Sequence, residues 1–595
     1  MVTQADEIVV KVEDDPKEKK DGCGKLLGRF VCIYWKTFVL IIWPLILLPL
    51  IIINNERMYK CLYVIAIMAM YWVTESLPLP ITGMIPVVLY PLLGILSTVE
   101  TCDAYINDTT VMFLGSLIIA VVIENSGLHM RVALLIIKLI GCSHRKLSLG
   151  LFYVTMFISM WISNTAATAM MIPIIETVLV ELEAQGLGDM FVFDDTPINQ
   201  TTNHDERSKR PTRSTMVYYL SASYASSIGG IGTIVGSGVN LTLKGLYEER
   251  FDEGPGINFA SWMIYAVPPM LIMGFLTWLW LQIMYMGLFR PKSQDARDIN
   301  IGEEGEKVAK SVVDKRYRDL GPVTWYESIV AFHFLAVVLL WFFRKPGFVR
   351  GWPTYITDLL VHLNTIIIII CPFIRVDNYL FFYRSVKDST AVVGIIILLF
   401  IIPSKLDFLR AFDKDPSKRP TRPSPALIDW KTIHQKMHWS LIFVLGGGFA
   451  IAIGSKNTGL SKMLGEELGH LRNVNPIITL FIVCLFAEIV TELTANVAVA
   501  NIIVPVLAEM CVSMKVHPLY LMLPVALCCS FSFHLPVGTP PNAIVSSAGH
   551  IKTKDFIIAG IGPTVITLIV ICISWTTWGV YVFDLHEFPS WAHEK

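Results

Sequence analysis

Charge is scarce in this chain. Only 16% of its 595 residues are Asp, Glu, Lys or Arg, while 54% are hydrophobic. Soluble domains carry about 25% charged residues, so this composition excludes an ordinary soluble globular protein. The 48 basic and 49 acidic residues nearly cancel, and no basic excess points to nucleic acid. The 11 cysteines show neither zinc-type nor disulfide-type spacing. Cys528 and Cys529 sit in an apolar run and read as packing residues. No H-E-x-x-H helix, G-x-S-x-G elbow or Walker loop is present, which argues against an enzyme. The opening "MVTQADEIVVKVEDDPKEKKDGCGK" lacks a signal peptide's apolar core; residues 1–34 read as a disordered cytosolic tail.

Apolar length is what the chain has in abundance. A spanning helix needs about 20 mostly apolar residues. Candidate spans or part-spans lie near 37–54, 58–74, 80–98, 130–142, 147–162, 169–184, 215–228, 261–289, 325–343, 388–403, 474–492, 499–513, 517–533 and 555–582. Some are too short to cross alone and stop at polar or Gly-rich stretches, a sign of broken helices. Lys and Arg gather in 289–322 and 404–436, which places both loops, with the N-terminus, in the cytosol. The segment 354–387 contains "TIIIIICPFI", too short an apolar run to cross, and reads as an irregular extracellular or interfacial insertion. Sequons occur at Asn107, Asn199 and Asn240. Asn240 lies in a site motif and Asn199 in a cytosolic loop, so neither is expected to be used; Asn107 is left open.

The halves resemble each other. "FLGSLIIAVVIENSGL" (113–128) matches "LGGGFAIAIGSKNTGL" (445–460), and "SNTAATAMMIP" (163–173) matches "ANVAVANIIVP" (495–505), both 332 positions on. "VGSGVN" (235–240) matches "VGTPPN" (537–542) at an offset of 302. The chain thus divides into a first repeat over 35–320, connecting spans over 321–437 and a second repeat over 438–590. Polar, Gly/Pro-interrupted apolar segments at corresponding places in two repeats mark a secondary transporter's binding site. Unpaired backbone at membrane depth is tolerated where it lines a cavity. Ser, Thr and Asn in membrane helices also often do no more than bond a neighbouring helix or their own carbonyls; the repetition of the motif favours a site.

Lys and Arg are absent from these segments, apart from Lys456. An anion here would be held by helix N-termini, amides and hydroxyls. Cations would bind with it, because several carboxylate charges are not buried uncompensated. The ionisable residues near the motifs are Glu75, Glu124, Glu176, Glu488, Glu492 and His534. Glu492, two residues before Thr494, is the foremost of them, and for each a structural hydrogen-bonding role stands beside a coupling role.

"MWISNTAATAMMIPI", "ANIIVPVLAEM" and "CSFSFHLPVGTPPNAIV" resemble the signatures of the divalent anion:sodium symporter family, and within it the INDY branch of citrate and C4-dicarboxylate carriers. The resemblance covers about 35–590. It implies an all-α polytopic homodimer in the plasma membrane, with about eleven transmembrane helices per subunit, an inverted repeat and two re-entrant hairpins. The hairpins are expected at 111–128 and 443–460. A scaffold part would hold the dimer and a transport part would move as an elevator. Carried over by motif, substrate contacts fall on Asn164, Thr165, Ser237, Asn496, Val497, Thr539 and Pro540. A first sodium site falls on Ser159, Ser163, Asn164 and Gly236, and a second on Thr491, Thr494, Asn496 and Gly538. No other cofactor is implied.

The chain departs from the family pattern at Ala495, where Ser is usual, and at Gly238-Val239, opposite Pro540-Pro541. These changes remove a hydroxyl ligand, and both sodium coupling and cation-independent exchange stay open. The expected cargo is citrate, succinate, fumarate or malate, with sulfate or another oxyanion as the alternative.

Overall fold

The computed structural model describes residues 23–592 except 142, 187–188, 194–208, 253, 300–301, 357, 359–385, 414, 416, 418 and 469–473. Helices make up nearly all of the regular structure. The one sheet among the described residues pairs Phe191–Phe193 with Lys209–Pro211. Among the described residues, eight helices are long and apolar enough to cross a membrane, from Arg29–Ile53 to Thr553–Phe583. Ile41, Leu45 and Ile52 on the first, and Ile561, Val565 and Ile573 on the last, point outward. Exposing such side chains to water costs about 25 cal/mol per Å²; hydrocarbon removes that cost. The chain is an all-α polytopic membrane protein.

The N-terminal helix runs Cys23–Ile53, so it begins inside the stretch read as a tail. The apolar residues from Leu26 to Trp35 extend it beyond the expected start. Residues 1–22 and most of the 354–387 insertion lie outside the described residues, as does Asn199. The basic loop 289–322 is not structureless: it contains the helix Gly302–Asp319, tied by Asp314 to Lys138 at 2.9 Å.

The hairpins are not where the resemblance implied. Residues 111–128 and 443–460 lie mostly in two unbroken helices, Asp108–Ser126 and Ser440–Thr458. Each ends at a left-handed glycine, Gly127 (φ +73°) and Gly459 (φ +77°). Their glycines serve close helix packing: Gly115 faces Val392, and Gly447 faces the backbone of Gly83. A glycine that admits a neighbouring backbone looks, in sequence, like one that breaks a helix.

The hairpins form instead around the Ser-Asn-Thr-type motifs. His144–Ser159 and Asn164–Ala184 turn at 160–163, so 147–162 and 169–184 are two arms of one element. Pro476–Thr491 and Asn496–Met514 turn at 492–495. The first arms have 16 residues each, about 24 Å of helix against a hydrocarbon core of about 30 Å. Neither first arm is therefore long enough to cross alone.

Beside each hairpin stands a helix broken in the middle. The first comprises Met216–Gly229 and Gly238–Arg250; the second comprises Leu519–Cys528 and Pro540–Ala548. Gly229, Gly230 and Gly232 interrupt the first, Pro536 the second, and no half is long enough to cross alone. Cys528 and Cys529 are fully buried, in keeping with their reading as packing residues.

Candidate functional site

Four helices begin at the interruptions: at Asn164, Gly238, Asn496 and Pro540. Helix N-termini carry unpaired N–H groups and the positive end of the dipole. The two halves touch here, since a methyl group on Gly238 would lie 3.0 Å from Val497 Cγ2. Ser223 Oγ also donates to Asn542 Oδ1, and Tyr224 Oη donates to Phe533 O at 3.1 Å. The termini differ in what they offer. Ser163 Oγ accepts from Ala166 N at 3.4 Å, and Ser237 Oγ accepts from Val239 N at 3.3 Å. Ala495 has no such oxygen, so the first-turn N–H groups at Asn496–Ala498 meet no side-chain cap. At the fourth terminus Pro540 and Pro541 have no N–H at all, which leaves Thr539 as the polar group.

Two asparagines shape the breaks. Asn240 Nδ2 donates to Gly230 O at 2.9 Å and Thr233 O at 2.7 Å. Asn542 Nδ2 donates to Ser532 O at 3.1 Å and Leu535 O at 2.9 Å. All three positions in one set map onto the other at the offset of 302, so the internal repeat extends to individual hydrogen bonds. Both asparagines are fully buried, and neither was assigned a role from sequence beyond the sequon at Asn240. The signal was present in the pairing of "VGSGVN" with "VGTPPN". Burial rules out Asn240 as a glycan acceptor. Asn107 is a helix cap whose Oδ1 accepts from Thr110 N at 2.9 Å.

The joint between hairpin turn and broken helix is built differently in the two halves. In the first, Thr233 Oγ1 donates to Met160 O at 2.5 Å. The repeat places Glu492 opposite Met160 and Leu535 opposite Thr233. Here the Glu492 carboxylate reaches across itself. It accepts from Ser532 Oγ at 2.9 Å, from the backbone N–H of Phe533, His534 and Leu535 at 2.7, 3.1 and 3.3 Å, and meets His534 Nδ1 at 3.0 Å. A carboxylate with this many donors acts as a clamp on residues 532–535. The other flagged acids are elsewhere: Glu124 pairs with Lys436 at 2.8 Å, Tyr219 donates to Glu176 at 3.4 Å, and Glu488 bonds Thr567 at 3.2 Å. Glu75 caps a helix in the left-handed region.

The predicted cation ligands separate into two groups. A methyl group on Gly236 would meet Gly230 O at 2.6 Å, Met160 O at 2.8 Å and Ser159 O at 3.1 Å. Three carbonyl oxygens around a space that only glycine leaves open suit a hard cation. Ser159 Oγ lies beside them, donating to Asn164 Oδ1 at 2.9 Å. The second set is less complete. A methyl on Gly538 would meet Ser532 Oγ, Glu492 O at 2.9 Å and Glu492 Oε2 at 3.4 Å. Thr491 Oγ1, however, donates to Ala487 O at 2.7 Å and Thr494 Oγ1 to Trp72 O at 3.1 Å. Asn496 Nδ2 donates to Ser530 O at 3.5 Å.

Two helix–turn–helix pairs and two broken helices with matching polar breaks are the pattern of a secondary carrier. Comparison with known proteins agrees. Residues 32–585 match the sodium:sulfate symporter transmembrane region. The Drosophila melanogaster "Protein I'm not dead yet" is 44% identical over 570 residues, covering 95% of this chain and 92% of that protein. The Rattus norvegicus Na(+)/citrate cotransporter is 38% identical over 589 residues (94% and 97%), and the rat Na(+)/dicarboxylate cotransporter 3 is 34% identical over 597 (94% of each). The chain belongs to the divalent anion:sodium symporter family and is a transporter, not an enzyme.

Proposed function

We propose that this chain carries citrate and C4-dicarboxylates across the plasma membrane, with Na+ as a coupling ion. The observation that carries this reading is the set of four helix N-termini at matched breaks with no basic side chain among them. Such a cradle attracts carboxylates through dipoles and amides and gains from a co-bound cation. The relatives named as citrate and dicarboxylate cotransporters support the same cargo. Val497 presents methyl groups to the cradle, which suits a carbon-backboned acid better than sulfate. Asn164, Thr165, Ser237, Asn496, Val497, Thr539 and Pro540 contact the acid. Ser159, Ser163, Asn164 and Gly236 hold the first sodium.

In this reading the N-terminus and both basic loops face the cytosol. The two broken helices and the intact helices together give about eleven crossings. The hairpins and broken helices move as an elevator against a scaffold through which two subunits pair. Uptake of labelled citrate and succinate into expressing cells, with sodium replaced by choline, tests the assignment. Sodium-dependent uptake of either acid is expected; uptake of neither removes the reading, and uptake indifferent to sodium turns it to exchange.

The second cation set makes its own prediction. Ala495→Ser supplies both the missing helix cap, about 1 kcal/mol, and an oxygen beside Asn496. A bond to a charged group contributes about 1.5–3 kcal/mol, so half-maximal uptake should need roughly tenfold less sodium. An unchanged sodium curve would mean that the oxygen is not within reach of a coupling ion.

A further inference from the structure

Away from the cradle, where Met216–Gly229 and Thr553–Ser574 begin and Phe259–Tyr285 ends, lies a cavity of about 550 Å³. Arg210, Arg213, His550, Lys552 and Lys554 line it, with Asp555 as the one carboxylate among its lining residues. Arg213 enters from the segment after the short strand Lys209–Pro211, donating to Met284 O at 3.2 Å and lying 5.7 Å from the Tyr285 ring. Its guanidinium approaches Asp295 only at 4.0 Å, and Arg290 shares that carboxylate at 3.8 Å. Lys552 and Lys554 are exposed and flank the start of the helix Thr553–Ser574, where Lys552 provides no side-chain cap. Positive charge therefore exceeds negative charge in this cavity.

The other wall is apolar. Ile558 lines the cavity and begins an outward stripe that continues through Ile561, Val565, Ile569 and Ile573. This spacing keeps the stripe on one face of the helix, and the helix is one of those long enough to span. A basic hollow at the head of a lipid-facing stripe fits a molecule with a polyanionic head and hydrocarbon tails. Basic pockets between transmembrane helices bind phosphorylated headgroups in this way.

We propose that this cavity binds a membrane lipid whose headgroup carries more than one phosphate. Arg210, Arg213, Lys552 and Lys554 hold the phosphates, and the tails lie along the Ile558–Ile573 stripe. None of these residues belongs to the carboxylate cradle, so the site is independent of the transported acid. Bound there, the lipid ties the ends of Met216–Gly229 and Pro540–Ala548, both members of the broken helices, to the membrane surface.

The test is native mass spectrometry and titration of the full-length protein in neutral detergent. The probes are short-chain phosphatidylinositol bisphosphate, short-chain phosphatidylcholine, inositol trisphosphate and citrate. The bisphosphate lipid should bind, phosphatidylcholine should not, and inositol trisphosphate should bind more weakly than the lipid. Arg213→Gln with Lys552→Gln and Lys554→Gln should weaken lipid binding by about fivefold for each charge removed. An unchanged elution profile and unchanged carboxylate uptake would show that the variant is folded. Equal binding of the lipid by the variant overturns the site. Inositol trisphosphate as tight as the lipid overturns the lipid in favour of a soluble phosphate, and displacement by citrate overturns it in favour of a substrate antechamber.

Discussion

Asn164→Ala or Asn496→Ala is expected to abolish carboxylate uptake while leaving the protein at the cell surface. Each is the first residue of a helix that begins at a break, and both are half-buried. Asn164 Oδ1 accepts from Ser159 Oγ, which fixes its amide beside the carbonyls around Gly236. Truncation removes an amide that can serve the acid and the first cation together. Each lost bond to a charged group is worth about 1.5–3 kcal/mol, so affinity falls by one to two decades per partner. Folding suffers less, since the paired bonds that shape each break come from Asn240 and Asn542, while Asn496 adds only a long bond to Ser530 O at 3.5 Å. Surface labelling with labelled-citrate uptake separates these effects, and normal uptake by both variants would mean that the acid binds elsewhere.

Glu492→Ala should cost both uptake and stability. The carboxylate accepts from Ser532, Phe533, His534 and Leu535, and its removal strands these donors where water is scarce. A buried donor left without an acceptor costs about 1–3 kcal/mol. Residues 532–535 should then drift from the second hairpin, carrying Gly538 and Thr539 out of position. Glu492→Gln keeps one accepting oxygen but turns an NH2 towards the remaining N–H groups, so it should fall between wild type and alanine. Melting followed by fluorescence-detected size exclusion, beside uptake, orders the three proteins. An alanine variant with the wild-type melting point and uptake would show that the clamp is dispensable.

The sequence carried the polar breaks and their pairing because they violate what lipid demands of a helix. Ser163-Asn164-Thr165 and Ala495-Asn496-Val497 stood out for that reason, and the structure places each at the start of a helix behind a hairpin turn. Residues 111–128 and 443–460 draw the eye as hairpins instead, because Gly115 and Gly446–Gly448 are conspicuous in a repeat whatever they do. Only coordinates reveal that they admit Val392, Tyr105 and Gly83. Asn240 and Asn542 were visible as a pair, yet their bonds to carbonyls two to three turns back depend on how an irregular stretch folds. The exchange of Thr233 for Glu492 was likewise hidden, since equivalent joints in the two repeats draw on different positions.

Asn240 and Asn542 anchor the irregular stretches with amides that belong to the protein. The receptacle therefore keeps its outline whether or not anything occupies it. An arriving molecule meets a finished surface, and its capture is governed by encounter and dehydration; no segment has to refold around it first.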